Sequence, residues 1–529
     1  MYSSVTLDAL EQLLKARFKE GFLSLKDLPH PSEFKDMEKA TGRIVEAIKN
    51  KEKITIIGDY DVDGVASTTL MKLFFNEIEY PVEWIIPNRF RDGYGLSANI
   101  IPRIKGTDLA ITVDNGISAV HAAQLCKEQG MDLIITDHHM LAPEVPEAYA
   151  IIDQKQEVCS FPYEEVCGAQ IAWYLIASMK NALGLKISMM PYMELAAIAI
   201  IADVMPLWHI NRAMVIAGTG ALSKSSRPAI RAYMEHTQKE TLTSEDIAFG
   251  LAPILNAAGR MEDASYAVEF LSSTNIYDAR IRLERLIEFN TLRKTTEEEI
   301  TQKALEKADR EAPVILVEGE GWHEGVVGIV AARMARIFER PCIVLSGNEE
   351  GMLKGSGRSY GEVDLFGIVN GCREHLEKFG GHRAAIGLSL HRTRLEAFRE
   401  QLCTASLDRG ETEEREDPEI VGELHFSEIT FTLTEMMKKY EPYGQGNPRP
   451  KFITSGVEIL QADSMGKDGE HMRFSFVQDG IVMPGVKFKT RASFEIGEKV
   501  EVSYTVNENR FRGNVTLQLM VDKIKNIRV

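Results

Sequence analysis

Three short apolar runs, Ile54–Ile57, Leu109–Val113 and Leu133–Thr136, each stop at a carboxylate or a histidine. The first leads into Gly58-Asp-Tyr-Asp-Val-Asp-Gly64, the second into Asp114-Asn-Gly116 and the third into Asp137-His138-His139. Together with Val82–Ile86 and Ala148–Ile152, these runs alternate with amphipathic helical segments, the signature of βαβ units around a parallel sheet. The carboxyl ends of the strands in such a sheet share one edge, and ligand sites lie there. Acids and histidines far apart in sequence are therefore expected to meet.

Within the first motif, alternate residues of an extended segment face the same way, so Asp59, Asp61 and Asp63 could point together. That much unneutralised charge in one cleft is costly unless cations hold it. Carboxylate oxygen suits Mg²⁺ or Mn²⁺, and imidazole tilts the choice towards Mn²⁺. A further acid, Asp203, ends the apolar run Ala196–Ala202, out of character with its neighbours. A strand-terminal Asp is commonly a helix N-cap, and an adjacent His pair commonly lies on a surface. Four such coincidences on one sheet edge argue instead for a metal site. Asp59, Asp61, Asp63, Asp114, the Asp137-His138-His139 group and Asp203 are expected to converge there, at the ends of successive strands.

At 529 residues the chain is too long for one core. We expect an N-terminal helical extension over 1–50, a catalytic α/β domain over 51–274 and a connecting helix over 275–311. A second α/β domain over 312–408, an acidic linker over 409–419 and a strand-rich β-barrel over 420–529 follow. The net charge of −17 argues against broad polyanion binding, although residues 451–529 carry 12 Lys+Arg against 10 Asp+Glu. Clustered carboxylates holding cations would absorb part of the acidic excess. The six cysteines lack paired or CxxC spacing, which fits a reducing cytoplasm. The N-terminus lacks the layout of a secretory signal, and the longest apolar run is too short for a bilayer, so no membrane association is expected.

GDYDVDG, VDNG, TDHH and IADVMPL resemble the successive motifs of the DHH phosphoesterase family. DGYGLS at 92–97, LNAAGRM at 255–261, GWHEGVVGIVAARMA at 321–335, GSGRS at 355–359 and FGGHRAAIGLS at 379–389 extend the similarity to its single-stranded-DNA exonuclease branch. The resemblance implies DHH, DHHA1 and OB-fold domains and two ions, Mn²⁺ or Mg²⁺. Asp61 and Asp63 would each favour one ion, Asp114 would bridge them, and His138 and Asp203 would complete the ligands. Asp59, Asp137 and His139 are given orienting or substrate-facing roles, with Asp59 and Asp137 as further candidate ligands.

In the second domain, Gly325-Val-Val-Gly328 opens a helix whose free N–H groups could meet a phosphate. Gly355-Ser-Gly-Arg358 and Gly380-Gly-His382 read as tight turns or as points of close backbone approach. The resemblance assigns substrate contact to Arg358 and His382, and also to Ser356, Arg260 and Trp322. Two departures stand out: Ile254 where the family usually has Arg, and Ile386 where it has Ala. In the tail, Arg473-Phe474, Lys487-Phe488-Lys489 and Arg510-Phe511-Arg512 interleave cations with aromatics, as an OB-fold surface does. Strand alternation puts Phe511 in the barrel core and leaves Arg473, Arg510 and Arg512 for the nucleic acid.

The expected activity is 5′-to-3′ hydrolysis of single-stranded DNA to mononucleotides in recombination and repair. A helicase or a single-strand-binding protein is the partner the resemblance implies. The alternatives are a nuclease for short oligoribonucleotides or cyclic dinucleotides and an inactive replication scaffold. The first generally lacks a C-terminal barrel, and the second loses metal ligands that are intact here.

Overall fold

The structure, a computed structural model, describes residues 2–407, 419–466, 469–490, 494–511 and 513–526. The expected linker over 409–419, apart from Glu419, lies outside the described residues, as do the side chains of Arg510, Phe511 and Arg512.

The first sheet contains β1 (Ile54–Ile57), β2 (Glu83–Ile85), β3 (Leu109–Val113), β4 (Asp132–Thr136) and β5 (Ala150–Ile152), in the order β2-β1-β3-β4-β5. Every neighbouring pair is parallel. All residues of β1 and β3 are buried, which accounts for their unbroken apolar character: helices cover both faces. A helical half follows, including Gly168–Ala182, Met190–Ala202, His209–Leu222 and Ala252–Met261. In the second of these, every residue from Tyr192 to Ile201 is buried.

The helix Ile276–Lys307 bridges two cores, capped at its start by Asn275, whose side chain accepts the Asp278 N–H at 3.0 Å. Leu283, Leu286 and Phe289 pack into the first domain, and Ile300 and Ala304 into the second. Its 32 residues span roughly 48 Å.

The second sheet contains β6 (Ile315–Glu320), β7 (Cys342–Gly347), β8 (Met352–Arg358), β9 (Lys378–His382) and β10 (Ala385–His391), ordered β6-β7-β8-β10-β9. The two glycine-rich segments read as possible turns are strands: Gly355–Arg358 ends β8 and Gly380–His382 ends the edge strand β9. A methyl group on Gly357 would stand 2.7 Å from the Ile386 side chain. The departure at Ile386 is thus a packing matter, with Ile386 in the second core.

The C-terminal domain contains β11 (Ile420–Glu423), β12 (Lys451–Met465), β13 (His471–Gln478), β14 (Ile481–Lys487), β15 (Lys499–Phe511) and β16 (Asn514–Asn526). Five strands close in the order β12-β13-β14-β16-β15, with β12 pairing back onto β15, and β11 adds alongside β12. On β13, Met472, Phe474 and Phe476 face the barrel core while Arg473 faces solvent.

The N-terminal extension splits in two. The helix Met37–Asn50 packs on the first domain, but Leu10, Leu14 and Phe18 enter the barrel's core beside Leu433, Met437 and Tyr440. Val5 N–H donates to Glu423 O at 2.9 Å and Glu423 N–H to Ser3 O at 2.8 Å, so this segment extends the barrel edge. The barrel also docks on the first domain. Leu207 N–H donates to Gln445 O at 2.8 Å, and the Arg212 guanidinium donates to the carbonyls of Lys439 and Glu441 at 3.1 and 2.7 Å. Among the described residues no helix is long and apolar enough to cross a membrane.

Candidate metal centre and the cleft around it

Four of the five expected ligands stand beyond the carboxyl ends of β1, β3 and β4. Asp61 caps the helix Val62–Glu77, its carboxylate accepting the Gly64 N–H at 3.0 Å. That helix starts at Val62, so the extended alternation expected for Asp59, Asp61 and Asp63 does not hold. The strand end, the cap and the first helical turn bring them together instead. Asp63 is buried and accepts the amides of Gly168 and Ala169 at 2.6 and 2.7 Å, at the N-terminus of the helix Gly168–Ala182. Asp114 follows β3 in the left-handed region (φ 63°), which Asp tolerates better than most residues.

Asp203 is a correction. It caps the C-terminus of the helix Met190–Ala202 rather than ending a strand, because the run before it is apolar on all sides and buried as a helix. It nonetheless reaches the same site. His138 Nε2 lies 3.1 Å from Asp114 Oδ1, 3.7 Å from Asp63 Oδ2 and 3.7 Å from Asp203 Oδ2.

Asp59, given an orienting role and named as a further candidate ligand, is buried, and its carboxylate groups with those of Asp61 and Asp114, donor atoms within 4.8 Å of one another. Asp63, His138 and Asp203 form an adjoining group of the same tightness. Asp137, by contrast, is fully engaged. It accepts the amides of Ile117, His138 and His139 and the His139 ring nitrogen at 2.6 Å. It therefore holds His139 in place.

The electrostatics of the cluster are unfavourable without cations. Burial, followed by the neighbouring acids, pushes Asp59 and Asp114 well above the usual carboxylate range. Burial and the Asp61 charge raise Asp63 to about 6, and burial with Asp63 and Asp61 raises Asp203 to about 9. His138 is driven down to about 3, by burial and then by the His139 charge, which leaves its ring neutral with a lone pair to offer. Burial opposes a charge on His139, but Asp137 prevails and lifts it to about 9. Three buried carboxylate oxygens, Asp59 Oδ1, Asp114 Oδ1 and Asp203 Oδ2, have no hydrogen-bond donor. Orphaned hard oxygens beside a neutral imidazole are a donor set for Mg²⁺ or Mn²⁺.

The wall beside the cluster is cationic. Arg260 and Arg358 are held near one another, and burial first, then the charge of Arg89, lowers both; Arg260 falls to about 10. Sequence reasoning missed Arg89. Its guanidinium lies 4.1 Å over the Tyr60 ring, and its Nε is buried without a partner. The signal was available, because Asn88-Arg-Phe-Arg91 follows β2 at the same sheet edge, and the strand-end rule was applied to the other strands. Tyr94 was missed too; its hydroxyl lies 3.3 Å from His139 Nε2 and 3.5 Å from Asp114 O. Ser356 and Arg358 lie on one face of β8, against Gly328. His382 is exposed on the edge strand.

Three expectations change. Trp322 is buried among Ile300, Val317 and Val330 and is a core residue, not a substrate contact. Gly325 makes a joint rather than a phosphate cradle: its N–H is taken by His323 Nδ1, and a methyl group there would strike the Arg260 carbonyl. Ile254 is packed in the first core, so cations on this wall come from Arg89, Arg260 and Arg358.

Family models match three stretches: the DHH family N-terminal domain over residues 53–200, the DHHA1 domain over 311–405 and the RecJ OB domain over 420–523. The single-stranded-DNA-specific exonuclease RecJ of Bacillus subtilis is 33% identical over 94% of this chain, which spans 65% of that relative's length. The RecJ of Haemophilus influenzae is 31% identical over 98% of this chain and 96% of its own length. Among solved structures, Mn²⁺-bound RecJ from Thermus thermophilus superposes with a TM-score of 0.82 at 26% identity, covering 94% of this chain and 72% of that one.

Proposed function

Because this chain belongs to the RecJ family of single-stranded-DNA-specific exonucleases, we propose that it hydrolyses unpaired DNA from the 5′ end and releases mononucleotides. The observation that carries this reading is the nearness of acids and arginines. Acids with orphaned oxygens lie beside a group of cations, with Arg89 acting on Asp59, Arg260 on Asp61 and Arg358 close to both arginines, and a phosphodiester has the charge to satisfy both sets.

Asp59, Asp61 and Asp114 on one side, and Asp63, His138 and Asp203 on the other, would hold two divalent ions, with Asp114 between them. Such ions supply Lewis acidity and a nucleophilic hydroxide at neutral pH. The rest of the work falls to the chain's own groups. Gly168 and Ala169 fix the Asp63 carboxylate, and Lys155 fixes the backbone of His138 through a 2.6 Å bond to its carbonyl. Arg89, Arg260 and Arg358 take the phosphate charge, with Ser356 and His382 beside them. The protonated His139, held by Asp137, adds a cation near the reacting centre. Hydrolysis adds water across the bond between phosphorus and the 3′ oxygen, so each cycle leaves a 3′-hydroxyl on the released nucleotide and a 5′-phosphate on the shortened strand.

Arg473 and the barrel surface would guide the strand. The six free cysteines suit a reducing cytoplasm, and a helicase or single-strand-binding protein is the partner class that would present unpaired DNA during recombination and repair. The test is digestion of 5′- and 3′-labelled single-stranded and duplex DNA and RNA with Mn²⁺. Early release of the 5′ label from single-stranded DNA supports the proposal. Preference for RNA, for dinucleotides alone or for the 3′ end overturns it.

A further inference from the structure

Phe249 is 84% exposed, on the wall of a cleft of about 470 Å³ that opens beside the metal centre. It sits in a π-helical turn, Ile247–Leu251, whose flanking residues Ile247 and Leu251 are fully buried. The turn is anchored on both sides and holds the ring outward. Such single π-turns inside helices concentrate at functional sites. Val204 also lines the cleft, 60% exposed and in the left-handed region at φ 56°. That conformation is costly for a β-branched side chain. Val204 directly follows the candidate ligand Asp203.

The lining comes from all three domains: Met205 and Ala248 from the first, Ile329 from the second and Tyr443 from the segment leading into the barrel. Arg260 and Arg293 line it as well. Arg293 is engaged by Glu297 and Asn290, while Arg260 makes one long bond, 3.4 Å to Gly325 O. The cleft therefore offers mostly apolar side chains together with the Arg260 guanidinium, with Glu245 and Asn256 among its other polar lining.

We propose that this cleft is a slot for an unpaired nucleobase and that Phe249 is the face on which the base stacks; the inference rests on the exonuclease reading. The fit is chemical. A nucleotide has a flat apolar body joined to a phosphate, and here an apolar wall adjoins Arg260 and a metal ligand. A base in the slot cannot be paired, so the slot selects single strands by shape. Stacking on Phe249 tolerates all four bases, as an enzyme that degrades any sequence requires.

The experiment uses the full-length protein with Mn²⁺ and a set of single-stranded oligonucleotides in which one abasic residue is walked along from the 5′ end. The natural protein should show about a tenfold rise in KM when the abasic residue occupies one position, with kcat little changed. Phe249→Ala should show that rise on the intact strand and no further response to the abasic residue, because the base and the ring act as one pair. Phe249→Leu should fall between. The proposal is overturned if Phe249→Ala matches the natural protein on intact strands, or if it keeps the same abasic penalty. It is also overturned if Phe249→Leu equals Phe249→Ala while both melt below the natural protein, since the ring then serves the fold alone. Failure of the natural protein to degrade any single strand would instead overturn the exonuclease reading.

Discussion

Both oxygens of Asp63 are held by the start of one helix: the Gly168 amide donates to Oδ2 at 2.6 Å and the Ala169 amide to Oδ1 at 2.7 Å. The helix N-terminus favours a negative carboxylate through these amides and its dipole. The same turn touches the next ligand. A methyl group on Gly168 would lie 2.5 Å from Asp114 Cβ and 2.6 Å from its Oδ1. Gly168→Ala is expected to displace Asp114 and lower kcat on the order of 100-fold, with a raised Mn²⁺ requirement in the same assay.

Asp114 is buried among Asp63, Asp61, Asp59 and Asp203, and without cations its charge is destabilising. Asp114→Asn should abolish hydrolysis and raise the melting temperature of the EDTA-treated protein by about 2–4 °C for each kcal/mol of repulsion relieved. Calorimetry with and without Mn²⁺ checks this: the stabilising effect of Mn²⁺ should shrink in the variant.

Asp153, just past β5, is fully buried, with one oxygen unpartnered and the other accepting the Lys155 amide at 2.8 Å. Burial raises its carboxyl to about 7. The folded protein thus keeps this proton at pH values where the unfolded chain has lost it, so stability falls as pH rises from about 4 to about 7. Asp153→Asn should melt higher than the natural protein at pH 8, and the gap should close near pH 4. Thermal melts across that range read it directly.

Arg89 and Arg358 are expected to act on one phosphate. Each single change to Ala should raise KM for single-stranded DNA by roughly tenfold, in line with a loss of 1–2 kcal/mol per charge-assisted hydrogen bond. The double variant should lose less than the product of the two if they share that phosphate.

Gly446, at φ 71°, lies against Trp208; a methyl group there would be 2.9 Å from the indole and 3.1 Å from Pro206 Cβ. Gly446→Ala should loosen the barrel from the first domain and disturb the segment following Asp203. Limited proteolysis and the Mn²⁺ dependence of activity should change together.

The first sheet was legible because β1, β3 and β4 are apolar on both faces and end in groups of a different kind. That rule brought Asp59, Asp61, Asp63, Asp114, Asp137, His138 and His139 to one edge, and the family resemblance picked the ligands among them. The rule failed at Asp203, since Ala196–Ala202 is as apolar as a buried strand and periodicity cannot separate a strand from a helix buried on all sides. It brought Asp59 to the right edge, but how Asp59, Asp61 and Asp63 meet was not legible, because side-chain direction there depends on the helix beginning at Val62. Trp322 illustrates another limit: the resemblance gave it a substrate contact, but the absence of a side chain at Gly319 leaves room for its ring in the core.

The segment Ser3–Phe18 completes a barrel whose strands begin at Ile420. During synthesis at about 5–20 residues per second, Leu10, Leu14 and Phe18 wait for their partners for roughly 20–80 s, while the two central domains emerge. Folding of this chain therefore closes like a clasp, with Leu10, Leu14 and Phe18 among the last residues to find their place. A helper that shields that short apolar stripe on the ribosome would act before the catalytic cluster is ever tested.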